Sequence, residues 1–305
     1  MSDYWKDKNV FITGINGFIG GNLAKALLNK GAKITGLVRD RDRNTLLFYE
    51  GLADKVLLIQ GELVNRELLE GIIVEQDIEA VFHFAAQVEV GVAAKNPYLT
   101  FETNIRGTYC LMDAIRNSGN KIRSIVVAST DKSYGSYPKE QMPYKEDYPL
   151  IPKYPYDVSK ACGDMIAQTY ASDIFRLPVV VTRFCNIYGP GQLNFSAIIP
   201  DGIRSALGYT KFIPRGDGTQ VRDFIYVEDV SELYMLIGEL LNNDPDRLTG
   251  EIFNAGTNVP HSVKNILEMI FSQIGNSKEL EEIIALMKGR KTTGEIETQF
   301  MDFAK

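Results

Sequence analysis

Asn9-Val10-Phe11-Ile12-Thr13-Gly14-Ile15-Asn16-Gly17-Phe18-Ile19-Gly20 is the stretch that decides the fold. Its first five residues are a short apolar run, as expected of a parallel strand buried on both faces. Glycines then stand at 14, 17 and 20. From Asn22 to Lys30 the chain reads as a helix with Leu23, Ala26 and Leu27 on one face, stopped by Gly31. Strand, glycine-rich turn and helix in that order form the setting a dinucleotide loop requires. Gly14 permits the tight turn, Gly17 lets the backbone approach a pyrophosphate, and Gly20 lets the helix pack closely on the strand. The free N–H groups at the helix start then face the phosphates.

Outward from this unit the pattern repeats. Lys33-Ile34-Thr35-Gly36-Leu37-Val38, Val56-Leu57-Leu58-Ile59-Gln60, Ala80-Val81-Phe82-His83-Phe84, Ile125-Val126-Val127-Ala128-Ser129 and Pro178-Val179-Val180-Val181-Thr182-Arg183-Phe184 read as further strands. Helical segments separate them, from about Arg66 to Glu75 and from Thr103 to about Asn117. Such alternation predicts an α/β fold with a parallel sheet. After the second strand, an acid would bind the adenosine ribose hydroxyls and an arginine would pair a 2′-phosphate. The chain offers Val38-Arg39-Asp40-Arg41 there. Arg39 suits NADP and Asp40 suits NAD, so the cofactor is read as NAD or NADP.

The bulk numbers narrow the class. Of 305 residues, 45% are hydrophobic and 24% charged, an ordinary globular composition. No apolar run approaches the roughly 20 residues of a membrane span, and no signal peptide is visible ahead of the first strand. Cys110, Cys162 and Cys185 are scattered and odd in number, which suggests a reducing cytoplasm. With two histidines a His-rich metal site is not expected, and no metal ligands are assigned. A net charge of -6 argues against a general nucleic-acid surface. His83, inside an apolar strand, reads as a core histidine satisfied by hydrogen bonds.

The chemistry centres on Tyr156-Asp157-Val158-Ser159-Lys160. In a helix, residues four apart share a face, so Tyr156 and Lys160 stand one above the other. A nearby ammonium and an oxidised nicotinamide ring would favour the phenolate and bring Tyr156 into range as a base. Ser129-Thr130-Asp131-Lys132-Ser133-Tyr134-Gly135 ends another strand, at the carboxyl edge where open α/β sheets bind ligands.

These motifs together resemble the extended short-chain dehydrogenase/reductase family, from about Lys8 to about Gly275. The Gly-x-x-Gly-x-x-Gly spacing, the Tyr-x-x-x-Lys pair and Arg183-Phe184-Cys185-Asn186-Ile187-Tyr188-Gly189-Pro190 carry the resemblance. So does Pro214-Arg215-Gly216-Asp217-Gly218-Thr219-Gln220-Val221-Arg222-Asp223-Phe224-Ile225-Tyr226-Val227-Glu228-Asp229. Thr130-Asp131-Lys132 is similar to nucleotide-sugar 4,6-dehydratases of the NAD-dependent epimerase/dehydratase branch, CDP-glucose and UDP-N-acetylglucosamine enzymes among them. The resemblance implies a doubly wound Rossmann domain over residues 1–182. A smaller C-terminal α/β cap over 183–305 would bind substrate, with some segments returning to the sheet.

It also implies roles. Asn16, Phe18 and Ile19 in the turn, Glu62 and Leu63 near the adenine, Ala85-Ala86-Gln87 beneath the cofactor, and Asn104 would join Gly14, Gly17, Gly20, Arg39, Asp40, Tyr156 and Lys160 around the dinucleotide. Gln87, Thr130, Asn186, Ile199, Arg215 and Arg222 would contact a nucleotide-diphosphate sugar, Arg222 through its planar fork on the diphosphate. Tyr156 would deprotonate the sugar 4-hydroxyl, Thr130 would hold the same oxygen, and hydride would pass to the nicotinamide. Asp131 would protonate the departing 6-hydroxyl. Lys132 is either the base that removes the C5 proton or an ion-pair partner of Asp131. In the second case the reaction would be confined to C4, as in a 4-epimerase; a third reading is a non-catalytic NAD(P)-binding scaffold. Asp229 reads as a helix N-cap. A cytoplasmic homodimer is the family expectation.

Overall fold

The computed structural model describes residues 3–119 and 122–288. They form two compact units, one of residues up to 191 with 225–255 and one of 192–224 with residues from 256 onward.

The first unit is built on seven strands: β1 (Asn9–Thr13), β2 (Lys33–Val38), β3 (Leu57–Gln60), β4 (Ala80–His83), β5 (Ser124–Ala128), β6 (Val179–Phe184) and β7 (Ile252–Ala255). Their order is β7-β6-β5-β4-β1-β2-β3, and every neighbouring pair is parallel. Successive residues of a strand point to opposite faces. Val10 and Ile12 therefore join Phe82, Val126 and Val180 in one core, with Leu23 and Leu27 of helix Phe18–Asn29 and Tyr234 of helix Val227–Asn243. Phe11 joins Val81, Ile125, Val127 and Val179 in the other, with Leu69 of helix Arg66–Glu75 and Leu111 of helix Gly107–Asn117. Two covered faces explain why the strands are continuous apolar runs rather than alternating ones.

The strand order reverses between the neighbours β1 and β4, the topological switch point at whose carboxyl edge ligands bind in such sheets. The glycine turn after β1, Phe84 to Gln87 after β4, Ser129 after β5 and Cys185 after β6 all leave the sheet on that edge.

Some local expectations shift. The first helix begins at Phe18, four residues earlier than its apolar face suggested, because Gly17 holds the extended backbone just before it. The helix expected from Thr103 starts at Pro97, widens into a five-residue π-turn over Glu102–Arg106 and continues as Gly107–Asn117. Such wide turns recur at functional sites. Asp229 is not an N-cap. Tyr226 occupies that position, and Asp229 lies in the first turn with Glu228, where the helix dipole favours a carboxylate.

In the second unit, helices Ile198–Ala206, Val263–Ile274 and Ser277–Lys288 enclose a small core of Ala206, Phe212, Leu267, Phe271, Ile283 and Met287. Val221–Arg222 pairs antiparallel with His261–Ser262. No helix among the described residues is long and apolar enough to cross a membrane.

Candidate active site

The glycine turn has the geometry of an anion cradle. Gly14 adopts φ +73°, and a Cβ there would lie 2.7 Å from the backbone nitrogen of Ala85. A Cβ on Gly20 would lie 2.3 Å from the carbonyl oxygen of Gly14, so the helix can pack this close only without one. Gly17 caps the helix with no side-chain hydrogen bond, and no acid stands in the first turn. The helix N-terminus is thus left to an external anion, which fits a dinucleotide pyrophosphate. Asn16 accepts a hydrogen bond from the Thr45 hydroxyl, fixing the loop tip. Arg39 and Asp40 are both exposed after β2, and the Arg39 carbonyl accepts from Gln60. Glu62 is exposed, whereas the Leu63 side chain is buried in the core.

Ala85, Ala86 and Gln87 form the small-residue turn after β4. Asn104 holds it: its Oδ1 accepts from the Gln87 N–H at 2.7 Å, and its amide donates to the Gln87 carbonyl at 2.9 Å and to Ser159 Oγ at 2.8 Å. Ser159 in turn donates to the Tyr156 carbonyl at 2.7 Å. Asn104 is buried within the π-turn, and its amide reaches Ser159 of helix Pro155–Ala171.

That helix presents Tyr156 and Lys160 one turn apart, as their spacing requires. Pro155 occupies its first turn, where a missing N–H costs nothing. Tyr156 is buried. Its phenol is pushed above its ordinary range by desolvation, then by the Asp131 and Asp157 carboxylates, while a hydrogen bond with Thr130 opposes them. The direction is the reverse of that expected from Lys160. In the structure the ammonium turns to the Ala128 carbonyl at 2.6 Å, and desolvation dominates at the phenol. Lys160 itself is lowered to about 8 by desolvation, with the Asp164 carboxylate one turn further along opposing the shift.

The turn after β5 brings the acid–base pair to the same place. Thr130 accepts from the Lys132 N–H at 3.4 Å and donates to Asp131 Oδ1 at 3.1 Å. Lys132 Nζ lies 3.3 Å from Asp131 Oδ1 and 3.5 Å from Asn186 Oδ1. Lys132 and Asp131 thus form an ion pair that stays partly accessible, and Asn186 reaches it from the far end of β6. Thr130, Asp131, Lys132, Tyr156 and Asn186 are therefore one cluster.

Two features escaped the sequence reading. Asp157 belongs to the cluster: desolvation raises its carboxyl, the Lys132 ammonium lowers it and Asp131 raises it. Its position beside Tyr156 was the available signal. The other is a buried ion pair. Arg183 donates to both carboxylate oxygens of Asp164, at 2.8 and 3.0 Å, with side chains 3% and 0% exposed. The Arg183 guanidinium also lies 4.8 Å from the centre of the Tyr134 ring and donates to the Glu146 carbonyl. One pair thus ties β6, the Tyr156 helix and the turn of Asp131 together. No local pattern announces such a contact between residues 19 positions apart.

The remaining expected residues lie in the second unit. Ile199 is half-buried in helix Ile198–Ala206, and Arg215 is exposed within electrostatic range of Asp201. Arg222 is exposed, and its guanidinium donates to the Val221 carbonyl at 2.8 Å.

Residues 11–304 match the sequence model of a family described as GDP-mannose 4,6 dehydratase. Human dTDP-D-glucose 4,6-dehydratase is 30% identical over 294 residues, covering 93% of this chain and 80% of that protein. A trifunctional UDP-glucose 4,6-dehydratase/UDP-4-keto-6-deoxy-D-glucose 3,5-epimerase/UDP-4-keto-L-rhamnose-reductase of Arabidopsis thaliana is 29% identical over 90% of this chain. The chain spans 41% of that longer relative. Among solved structures, dTDP-glucose 4,6-dehydratase of Bacillus anthracis in complex with NAD superimposes with a TM-score of 0.77 and 32% identity, covering 89% of this chain and 82% of that one. UDP-glucose 4-epimerase of Thermotoga maritima with UDP-glucose gives 0.75 and 26%, covering 88% and 83%. A glycine cradle at the switch point, a Tyr–Lys helix beside it and a family match over nearly the whole chain converge, and the chain belongs to the GDP-mannose 4,6 dehydratase family.

Proposed function

We propose that this chain is an NAD(P)-dependent nucleotide-sugar 4,6-dehydratase. The observation that carries the reading is the Asp131–Lys132 pair on the same turn as Thr130, beside Tyr156. Oxidation at C4 needs only the Tyr and Thr; loss of water needs an acid and a base as well. The relatives named for dTDP-glucose and UDP-glucose 4,6-dehydration support it.

A pyridine dinucleotide bound over the glycine turn supplies a reversible two-electron acceptor for C4, and its positive ring favours the phenolate that burial opposes. Tyr156 takes the proton of the sugar 4-hydroxyl while Thr130 holds that oxygen. The 4-keto group so formed acidifies the proton on C5. For these roles the proton of the pair must first pass from the Lys132 ammonium to the Asp131 carboxylate. The neutral amine, steadied by Asn186, then takes the C5 proton, and the protonated Asp131 delivers its own to the 6-hydroxyl, which departs as water. C6 then recovers the hydride equivalent taken from C4 and C5 recovers a proton from Lys132, so the product is a 4-keto-6-deoxy sugar and no external reductant is consumed. Lys160 holds the cofactor ribose, and its charge is retained near neutral pH because about 8 lies above it. Ile199, Arg215 and Arg222 are the residues this reading assigns to the nucleotide-diphosphate part of the substrate, with the planar fork of Arg222 suited to the diphosphate.

Exposed Tyr98, Phe101, Tyr109 and Met165, on helices Pro97–Phe101, Gly107–Asn117 and Pro155–Ala171, support a homodimer formed through these helices. None of Cys110, Cys162 and Cys185 is disulfide-bonded, which fits a reducing cytoplasm.

A second reading, 4-epimerisation, draws on the similarity to UDP-glucose 4-epimerase and on the ion pairing of Lys132. Incubation of CDP-, UDP-, GDP- and dTDP-hexoses in D₂O separates the two. A dehydratase yields a 4-keto-6-deoxy product with deuterium at C5. A 4-epimer without deuterium at C5 refutes the dehydratase reading.

A further inference from the structure

His83 sits at the end of β4, buried between Thr13 of β1 and Thr108 of helix Gly107–Asn117, and the proposed reaction gives it no part. Its Nδ1 lies 2.7 Å from Thr13 Oγ1 and its Nε2 lies 3.0 Å from Thr108 Oγ1. The neighbours determine which nitrogen carries the proton. The single hydroxyl proton of Thr108 is committed to the Asn104 carbonyl, 2.6 Å away. Toward His83 the Thr108 oxygen can therefore only accept, so Nε2 must donate. The neutral ring then presents Nδ1 as an acceptor, and the Thr13 hydroxyl donates to it. Thr13 Oγ1 in turn accepts from the Ala85 N–H at 3.2 Å.

We propose that His83 is a positioning residue that, as the neutral Nε2–H tautomer, joins the cofactor turns to the Tyr156 helix through one continuous, directed chain of hydrogen bonds. The chain runs Ala85 N–H to Thr13, Thr13 to His83, His83 to Thr108, Thr108 to the Asn104 carbonyl, and the Asn104 amide to Gln87 and Ser159. It ends with Ser159 on the Tyr156 carbonyl. Thr13, His83, Asn104, Thr108 and Ser159 are all buried, so no solvent competes for these bonds. Each hydroxyl donates once and accepts once, and reversing any one donor would leave two lone pairs facing each other. The turn that supports the dinucleotide and the helix that carries the base are thereby held in one register. Desolvation and the nearby Lys160 ammonium lower His83 to about 3, which keeps the ring neutral through the working range.

The effect on rate rests on the dehydratase reading; the tautomer does not. The chain has two histidines, so replacing His261 with Asn leaves one imidazole to observe by long-range ¹H–¹⁵N correlation. The expected spectrum at neutral pH shows a protonated Nε2 and an unprotonated Nδ1, unchanged on adding NAD or NADP. An imidazolium or an Nδ1–H ring overturns the proposal, whether or not any sugar is turned over. In the activity arm, His83→Phe keeps the ring volume and removes both bonds. It is expected to lower kcat roughly 10- to 100-fold through misplacement of Tyr156, with KM for the nucleotide sugar within about twofold. His83→Gln, which retains a donor and an acceptor, recovers part of that loss. Circular dichroism and dinucleotide titration establish that each variant is folded. A folded His83→Phe enzyme with unchanged kcat overturns the positioning role.

Discussion

Lys160→Met should stabilise the free protein near neutral pH while abolishing its activity. Desolvation lowers Lys160 from 10.5 to about 8, so the folded state resists carrying this charge. Over that interval, at about 1.36 kcal/mol per pH unit, the folded protein pays about 3 kcal/mol for the cation at pH 7. The side chain keeps partial access to solvent, which screens part of this and brings the expected effect to about 2–3 kcal/mol. The sign follows from proton linkage. Between pH 8 and 10.5 the unfolded chain binds more protons at this site than the folded one, so stability from Lys160 rises with pH through that window. It is fully present above 10.5 and lost as pH falls through about 8. Urea unfolding of wild type and Lys160→Met from pH 7 to 10.5 isolates the effect, because other titrating groups cancel in the difference. The variant's advantage at pH 7 should shrink by about 2–3 kcal/mol by pH 10.5. A difference constant to within about 0.5 kcal/mol across the range would refute the claim that a desolvated cation stands beside Tyr156.

The other expectations are direct. Asp164→Asn leaves the Arg183 guanidinium buried without its counter-charge, and should cost about 3–5 kcal/mol in chemical denaturation; the Asp164→Leu, Arg183→Met double variant should lose clearly less. Gly14→Ala places a Cβ 2.7 Å from the Ala85 nitrogen at a φ of +73°, and should destabilise by at least about 1–2 kcal/mol while weakening dinucleotide binding in a calorimetric titration. Lys132→Ala should stop water loss, read as absence of the 4-keto-6-deoxy product, while a reduced-cofactor absorbance still builds on adding substrate; full turnover by that variant would remove Lys132 as the base. Tyr156→Phe should suppress both signals, because it removes the group assigned to take the 4-hydroxyl proton.

Much of this protein is legible along the chain, for a local reason. Strand, glycine turn and helix at Asn9 to Asn29 follow from apolar runs, missing Cβ atoms and helical spacing, all set by near neighbours. Tyr156 and Lys160 share a helix face because 3.6 residues complete a turn. Tertiary structure alone decided the rest. The direction of the Tyr156 shift depends on desolvation and on carboxylates from Asp131, while Lys160 is drawn to a carbonyl of β5. Asn104 lies buried in a π-turn and meets Gln87 and Ser159 from other segments, and His83 gains its tautomer from Thr13 and Thr108, which lie 70 and 25 positions away. Periodicity records which face of an element is buried. Charge, proton position and partner identity are sums over groups from distant segments, and they exist only once the fold has brought those segments together.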